Sequence, residues 1–170
     1  MQKFLALIVF FGLFSVPLMA QDYAKAEIFG GYQYLHLGGD FTGLNTNGWN
    51  ASLTGNFSKH LGLAADFGGA YKSVGGVSTH VYSYTGGPVV SMDAGGKINP
   101  FAHALFGGAT FGGGGTSVNA FTMMFGGGVD AQLNKAFSIR VVQFDWVYYR
   151  HSGVSEDSNV RLSTGVVVTF

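Results

Sequence analysis

Few residues in this chain have the types and spacing that chemistry requires. His151 and Ser152 are adjacent, with Glu156 just beyond, so a base, a nucleophile and an orienting acid all fall within one short segment. Neighbours on an extended strand point to opposite faces, however, and residues 152–158 read as a polar loop tip, so the pair is not expected to meet. The five histidines, His36, His60, His80, His103 and His151, lack the i, i+2 or i, i+4 pairing of a metal site. Gly112 to Gly115 form a glycine run with no Lys-Ser/Thr behind it, which excludes a phosphate loop. Asp66 stands alone within an apolar stretch, which suits a hydrogen-bonded interior residue better than a general base. The chain has no cysteine, which removes thiolate nucleophiles, Cys-ligated zinc, disulfides and lipid attachment through Cys. No catalytic, cofactor-binding or metal-ligating set is therefore expected.

What remains is a thin population of charges, and the elements that place them decide their meaning. Nine Lys and Arg balance nine Asp and Glu in 170 residues, and charged residues are 11% of the chain. A soluble domain has about 25%, and no basic field exists to gather nucleic acid. Twenty-eight glycines beside 16 Phe, 8 Tyr and 2 Trp exclude disorder and argue against helix.

The chain opens with Lys3, an unbroken apolar run from Phe4 to Phe14, and a small residue, Ala20, before the polar Gln21-Asp22. This is the pattern of a secretory signal peptide cleaved after Ala20. The run is too short for a spanning helix, which needs about 20 residues. Residues 1–20 are thus expected to be a signal peptide and 21–170 one domain.

From residue 21 onward the periodicity is two. Trp49, Ala51, Leu53, Gly55 and Phe57 alternate with Asn50, Ser52, Thr54 and Asn56, and Leu61, Leu63, Ala65, Phe67 and Tyr71 share one face of the next segment. The same test gives eight strands, at 24–37, 48–57, 61–72, 79–90, 98–110, 118–131, 137–150 and 159–170. Gly/Asn/Ser-rich connections at 38–47, 73–78, 111–117 and 151–158 read as longer loops at one end. Those at 58–60, 91–97 and 132–136 read as tighter turns at the other. This is the plan of an all-β, eight-stranded antiparallel up-and-down transmembrane β-barrel.

A lipocalin-like soluble barrel would alternate too, with its apolar set inward, and a soluble sandwich is a further alternative. The polar faces decide against both, being uncharged (Asn50, Ser52, Thr54, Asn56) where a soluble exterior would be charged. Bulky residues of the last strand, Val160, Leu162, Val166, Val168 and Phe170, also share one face. Aromatic residues fall mostly near strand ends, as at membrane interfaces. Gly62, Gly68, Gly87, Gly126 and Gly128 leave room in an interior barely wide enough for side chains.

Strand parity then sends Lys25, Glu27, Asp66, Lys72, Asp130, Arg140 and Arg161 into the lumen, and His103 with them. Arg140 and Asp145 have opposite parity, so both face inward only if a bulge intervenes near Val141-Val142. Asp130 and Arg140 should meet across the turn at 132–136, with Glu27 within reach of Arg140. Such a set is either a salt-bridge gate in a narrow pore or a plug of paired charges; the plug is preferred because buried charges must be paired in any case.

The chain at this point resembles the small OmpA/OmpX-type outer-membrane β-barrel, or porin-like, family. The resemblance lies in residues 26–32 (AEIFGGY), 99–108 (NPFAHALFGG), 126–130 (GGGVD), 139–146 (IRVVQFDW) and the ending 164–170 (TGVVVTF), and it covers essentially all of 21–170. It implies a Gram-negative-type outer membrane with periplasmic termini. It also implies that Phe170, with Val168 and Val166 before it, is the signal read by the outer-membrane assembly machinery. The expected partners are outer-membrane lipid and, transiently, that machinery; the protein is expected to be monomeric, without cofactor and without nucleic acid. A fold of this kind names no activity. The favoured function is structural or surface-interacting, with a narrow solute pore and a lipid-modifying enzyme as the rivals.

Overall fold

The computed structural model describes residues 24–39, 44–74, 76–92 and 97–170. The expected signal peptide and its cleavage at Ala20 lie outside the described residues. Eight strands follow in chain order: β1 (Ala26–Leu37), β2 (Leu44–Asn56), β3 (Leu61–Val74), β4 (Val77–Ser91), β5 (Ile98–Gly113), β6 (Thr116–Gln132), β7 (Phe137–His151) and β8 (Val154–Thr169). Each pairs antiparallel with its neighbours, and β1 pairs with β8, so the sheet closes into a barrel. The seam is tied at the chain end, where Phe170 N–H donates to Ala26 O and Lys25 N–H to Phe170 O, both at 2.9 Å.

Period-two patterning becomes two surfaces. Ile28, Trp49, Leu53, Leu63, Phe67, Phe106, Phe125, Phe144, Leu162 and Val166 point outward and are exposed. Gln33, Asn50, Asp66, Thr85, Asp145 and Arg161 point inward and are buried. A protein with its bulky apolar residues outside and its polar ones inside is built for lipid, where closure satisfies every backbone group.

The connections at the hairpin end, away from the termini, differ from expectation. Residues 111–117 and 151–158 are mostly strand, joined by two-residue turns, and 73–74 and 77–78 are also strand. Gly114 and Gly115 have φ of 59° and 85°, and Ser152 and Gly153 have 48° and 86°. Two successive positive φ values make the tight turn whose twist matches the flanking strands. Polar Gly/Ser/Thr segments looked like loops because period-two contrast fades once both faces meet water. The strands consequently run 12 to 17 residues, against the 9–11 or so that cross a bilayer. Several of them therefore stand clear of the membrane.

Candidate functional site

The site is the barrel interior, and a single backbone irregularity arranges much of it. Asp130 pairs with Arg140 but Val129 pairs with Val142, so β7 holds one extra residue. Val141 and Val142 both point out, at 54% and 44% exposure, which turns Arg140 and Asp145 to the same inner face. The carbonyl of Arg140, beside this bulge, accepts a hydrogen bond from Thr164 Oγ1 at 2.9 Å.

A chain of contacts crosses the bore from these residues. Arg140 Nε and Nη2 donate to Asp130 Oδ1 and Oδ2 at 2.8 and 2.9 Å, a bidentate pair, and Nη1 donates to Gln143 Oε1 at 2.8 Å. Gln143 Nε2 donates to Asp145 Oδ2 at 2.8 Å. Arg161 Nε donates to the same oxygen at 2.8 Å, and its Nη1 donates to Asp66 Oδ1 at 2.7 Å. Asn50 Nδ2 closes the far end on Asp66 Oδ2 at 3.0 Å. His103 Nε2 lies 2.6 Å from Asp145 Oδ1, and since a carboxylate oxygen accepts, the imidazole donates. Asp66, Asp145 and Arg161 side chains are all at most 3% exposed, which such charges tolerate only when paired. The Arg140 guanidinium is also sandwiched between aromatic faces, 4.5 Å from the Phe29 centroid and 4.1 Å from that of Phe101.

Of the expected lumen charges, Asp66 and Arg161 meet directly, as do Asp130 and Arg140. Glu27 is a correction. Its carboxylate accepts from Asn56 Nδ2 at 2.9 Å on the neighbouring strand, while Arg140 spends its hydrogen bonds on Asp130 and Gln143. Glu27 lies nearer the chain-end rim than Arg140, so the closer amide takes it. Gln143, which links the two ion-pair groups, was not anticipated; its inward aim follows from the same bulge that turns Asp145.

Below and above this layer the bore has two different characters. Toward the termini it opens into a vestibule of about 260 Å³, lined by residues including Ser52, Thr54, Ser91, Asn99, His103 and Arg140. Toward the hairpins it is filled by Leu35, Leu37, Val81, Ala109, Val147 and Tyr149, all buried. Asn159, fully buried, finishes the closure by accepting from Gly38 N–H at 3.1 Å and donating to Val147 O and Glu156 O at 3.2 Å. The apolar filling explains why residues 98–110 are apolar on both parities: Leu105 and Ala109 pack inside while Phe106 faces lipid.

His151 and Ser152 do meet, contrary to expectation, because Ser152 occupies the turn and not the strand. Ser152 Oγ is 2.9 Å from His151 Nε2, and His151 Nδ1 is 2.7 Å from Asn119 O. Both residues are exposed, and the Glu156 carboxylate packs over Gly39 instead of orienting the imidazole. Among the described residues no group of three His, Cys, Asp or Glu could hold a metal ion.

Fold and interior together define an eight-stranded transmembrane barrel whose midsection is crossed by paired charges. No family model matches the chain, and no curated protein does. Solved structures do. Neisserial surface protein A superposes with a TM-score of 0.71 at 14% identity, over 86% of this chain and 98% of that one. Ail, the attachment invasion locus protein of Yersinia pestis, in complex with the heparin analogue sucrose octasulfate, gives 0.58 at 19%, over 86% and 99%. The N-terminal β-barrel domain of Pseudomonas aeruginosa OprF gives 0.61 at 13%, over 86% and 98%. The chain thus has the fold of the small outer-membrane barrels.

Proposed function

We propose that this chain is an integral protein of a Gram-negative-type outer membrane, with its termini in the periplasm, serving as a closed scaffold that presents protruding hairpins at the cell surface. The observation that supports this reading is the apolar packing of Leu35, Leu37, Val81, Val147 and Tyr149 inside the bore toward the hairpins. The lipid-facing band and the shared fold support the location; lipid is the lasting partner and the assembly machinery a passing one. The protein works as a monomer and without catalysis.

The presented surface offers strand edges. Pairing of β6 with β7 ends at Phe121 and Arg150, although β6 continues to Thr116, so Thr116 to Ala120 have no partner strand on that side among the described residues. An extended segment of another protein can add to such an edge. The attachment named for Ail fits this mode better than polyanion binding, since at this end Lys72 and Arg150 are offset by Glu156 and Asp157. Planar-bilayer recording of the refolded protein tests the closed scaffold, and conductance steps in the unmodified chain would overturn it.

A further inference from the structure

The chain-end rim of the barrel is basic. Lys25 stands at the β8–β1 seam, Lys59 in the β2–β3 turn, Lys97 just before β5 and Lys135 in the β6–β7 turn, so the four lysines are spaced two strands apart around the circumference. Lys59, Lys97 and Lys135 are exposed. The counter-charges of this rim among the described residues, the Glu27 carboxylate held by Asn56 and the Phe170 carboxylate beside Lys25, both fall near the seam. At the hairpin end, by contrast, Lys72 and Arg150 are offset by Glu156 and Asp157.

Two of these turns are built alike. In 57–61 (FSKHL) the N–H groups of Phe57 and Ser58 donate to Leu61 O at 2.9 and 3.2 Å, and Ser58 Oγ accepts from the N–H groups of His60 and Leu61. In 133–137 (LNKAF) the N–H groups of Leu133 and Asn134 donate to Phe137 O at 3.0 and 3.1 Å, and Asn134 Oδ1 accepts from the N–H groups of Ala136 and Phe137. Each turn thus fixes a lysine at its tip between two bulky exposed apolar residues, Phe57 and Leu61 in one and Leu133 and Phe137 in the other. Leu61 and Phe137 in turn begin outward faces that continue through Leu63 and Ile139. The lysines therefore border the lipid-facing band, where the stem lies along hydrocarbon and the ammonium reaches the headgroup layer. Turns this short carry the charge no farther from the membrane.

We propose that this rim is a binding surface for anionic phospholipid of the periplasmic leaflet, its lysines pairing with lipid phosphates while the flanking apolar residues hold the upper acyl chains; this rests on the outer-membrane reading above. A zwitterionic headgroup carries its own ammonium beside the phosphate, so the rim favours a headgroup of net negative charge. For the test, the protein is placed in phosphatidylcholine nanodiscs doped with phosphatidylglycerol or with phosphatidylcholine, each carrying the same nitroxide high on the acyl chain, and amide relaxation is read along the backbone. At equal mole fraction, relaxation at 58–60 and 134–136 is expected to be roughly fivefold stronger from the labelled phosphatidylglycerol, the effect of one lysine at an anionic surface. That ratio should fall toward unity as salt is raised. Lys59→Gln, Lys97→Gln and Lys135→Gln combined should also bring it near unity, whereas Lys72→Gln with Arg150→Gln should leave it unchanged. Equal relaxation from the two lipids in the unmodified protein would overturn the proposal; the outer-membrane reading would survive if the outward Leu53 and Phe144 amides still relax, and both would fall if they do not. A preference that persists in the triple variant, shown to be folded by its heat-dependent gel shift, would place the lipid elsewhere and defeat the proposal. Binding of a soluble muropeptide at the rim without any phospholipid preference would do the same and assign the lysines to the cell wall. If the triple variant does not fold, the salt dependence of the unmodified protein decides, and a ratio indifferent to salt counts against the lysines.

Discussion

Arg161 on β8 and Asp66 on β3 are 95 positions apart in the chain and meet across the bore at 2.7 Å. With Asp145 of the neighbouring β7 on the other side of the guanidinium, this one side chain ties β8 to β3, a strand that the backbone ladder reaches from β8 only by going round the barrel. Removing it leaves two buried carboxylates facing each other. Arg161→Ala is expected to cost roughly 3–5 kcal/mol, the usual consequence of breaking a buried pair from one side. Arg161→Lys restores charge but not the fork that reaches two carboxylates, so it should rescue little. Urea unfolding of the refolded barrel measures both; a midpoint unchanged in Arg161→Ala would show that the pair contributes nothing to stability.

Arg140 combines a bidentate carboxylate with two aromatic faces, and its variants separate these contributions. Arg140→Ala is expected to weaken the barrel clearly in urea. Phe101→Leu, which keeps the ion pair and removes one ring, should lose about 0.5–2 kcal/mol, the range of a cation–π contact. Equal losses in the two variants would mean that the carboxylate pair is worth nothing beyond the ring contact.

Glycine positions divide sharply by what surrounds them. A Cβ on Gly126 would lie 2.2 Å from Asp145 Oδ1 and from Phe144 O, so Gly126→Ala must displace either the central carboxylate or the backbone. Gly30 and Gly55 have nothing within 4 Å of that position. Gly126→Ala should prevent recovery of the heat-modifiable folded form, whereas Gly30→Ala and Gly55→Ala should stay within about 0.5 kcal/mol of the parent. Loss of folding in the latter two would contradict the open surroundings assigned to them.

Strand count and inward parity were legible because lipid outside and polar groups inside give maximal contrast at period two. The bulge at Val141-Val142 was legible because Arg140 and Asp145 could not otherwise both leave the lipid face. Less was readable where contrast fails. Leu35, Leu37 and Tyr149 fill the bore from the inner face, and an apolar residue inside looks no different in sequence from one outside. Ser152 meets His151 only through a positive φ that no periodicity encodes. Glu27 has Asn56 and not Arg140 as partner because depth along the bore, unlike facing, depends on the strand stagger.

Phe170 tests the part of the reading that concerns assembly. Phe170 is 68% exposed, while its backbone N–H and C=O hold the seam to Ala26 and Lys25. Phe170→Ala leaves those backbone bonds in place, so refolding into detergent and the urea midpoint should change little. Insertion in cells should fall, as should that of a chain also carrying Val168→Ser and Val166→Ser. Normal insertion of the triple variant would remove the proposed role of this ending as an assembly signal.

The apolar filling makes the last and most direct prediction about function. Leu35 and Tyr149 are each 3% exposed and occupy the bore between the ion-pair layer and the hairpin end. Leu35→Ala with Tyr149→Ala removes most of their volume without touching the charge network. The two truncations should destabilise the barrel by roughly 2–5 kcal/mol each, a loss followed in urea. Variants that still show the heat-dependent gel shift should produce discrete conductance steps in planar bilayers, where the unmodified protein produces none. Leu53→Ala, on the lipid face, serves as the control and should remain silent. If the folded double variant also remains silent, the block lies in the Asp66–Arg161–Asp145 layer, and charge pairing rather than apolar packing closes the bore.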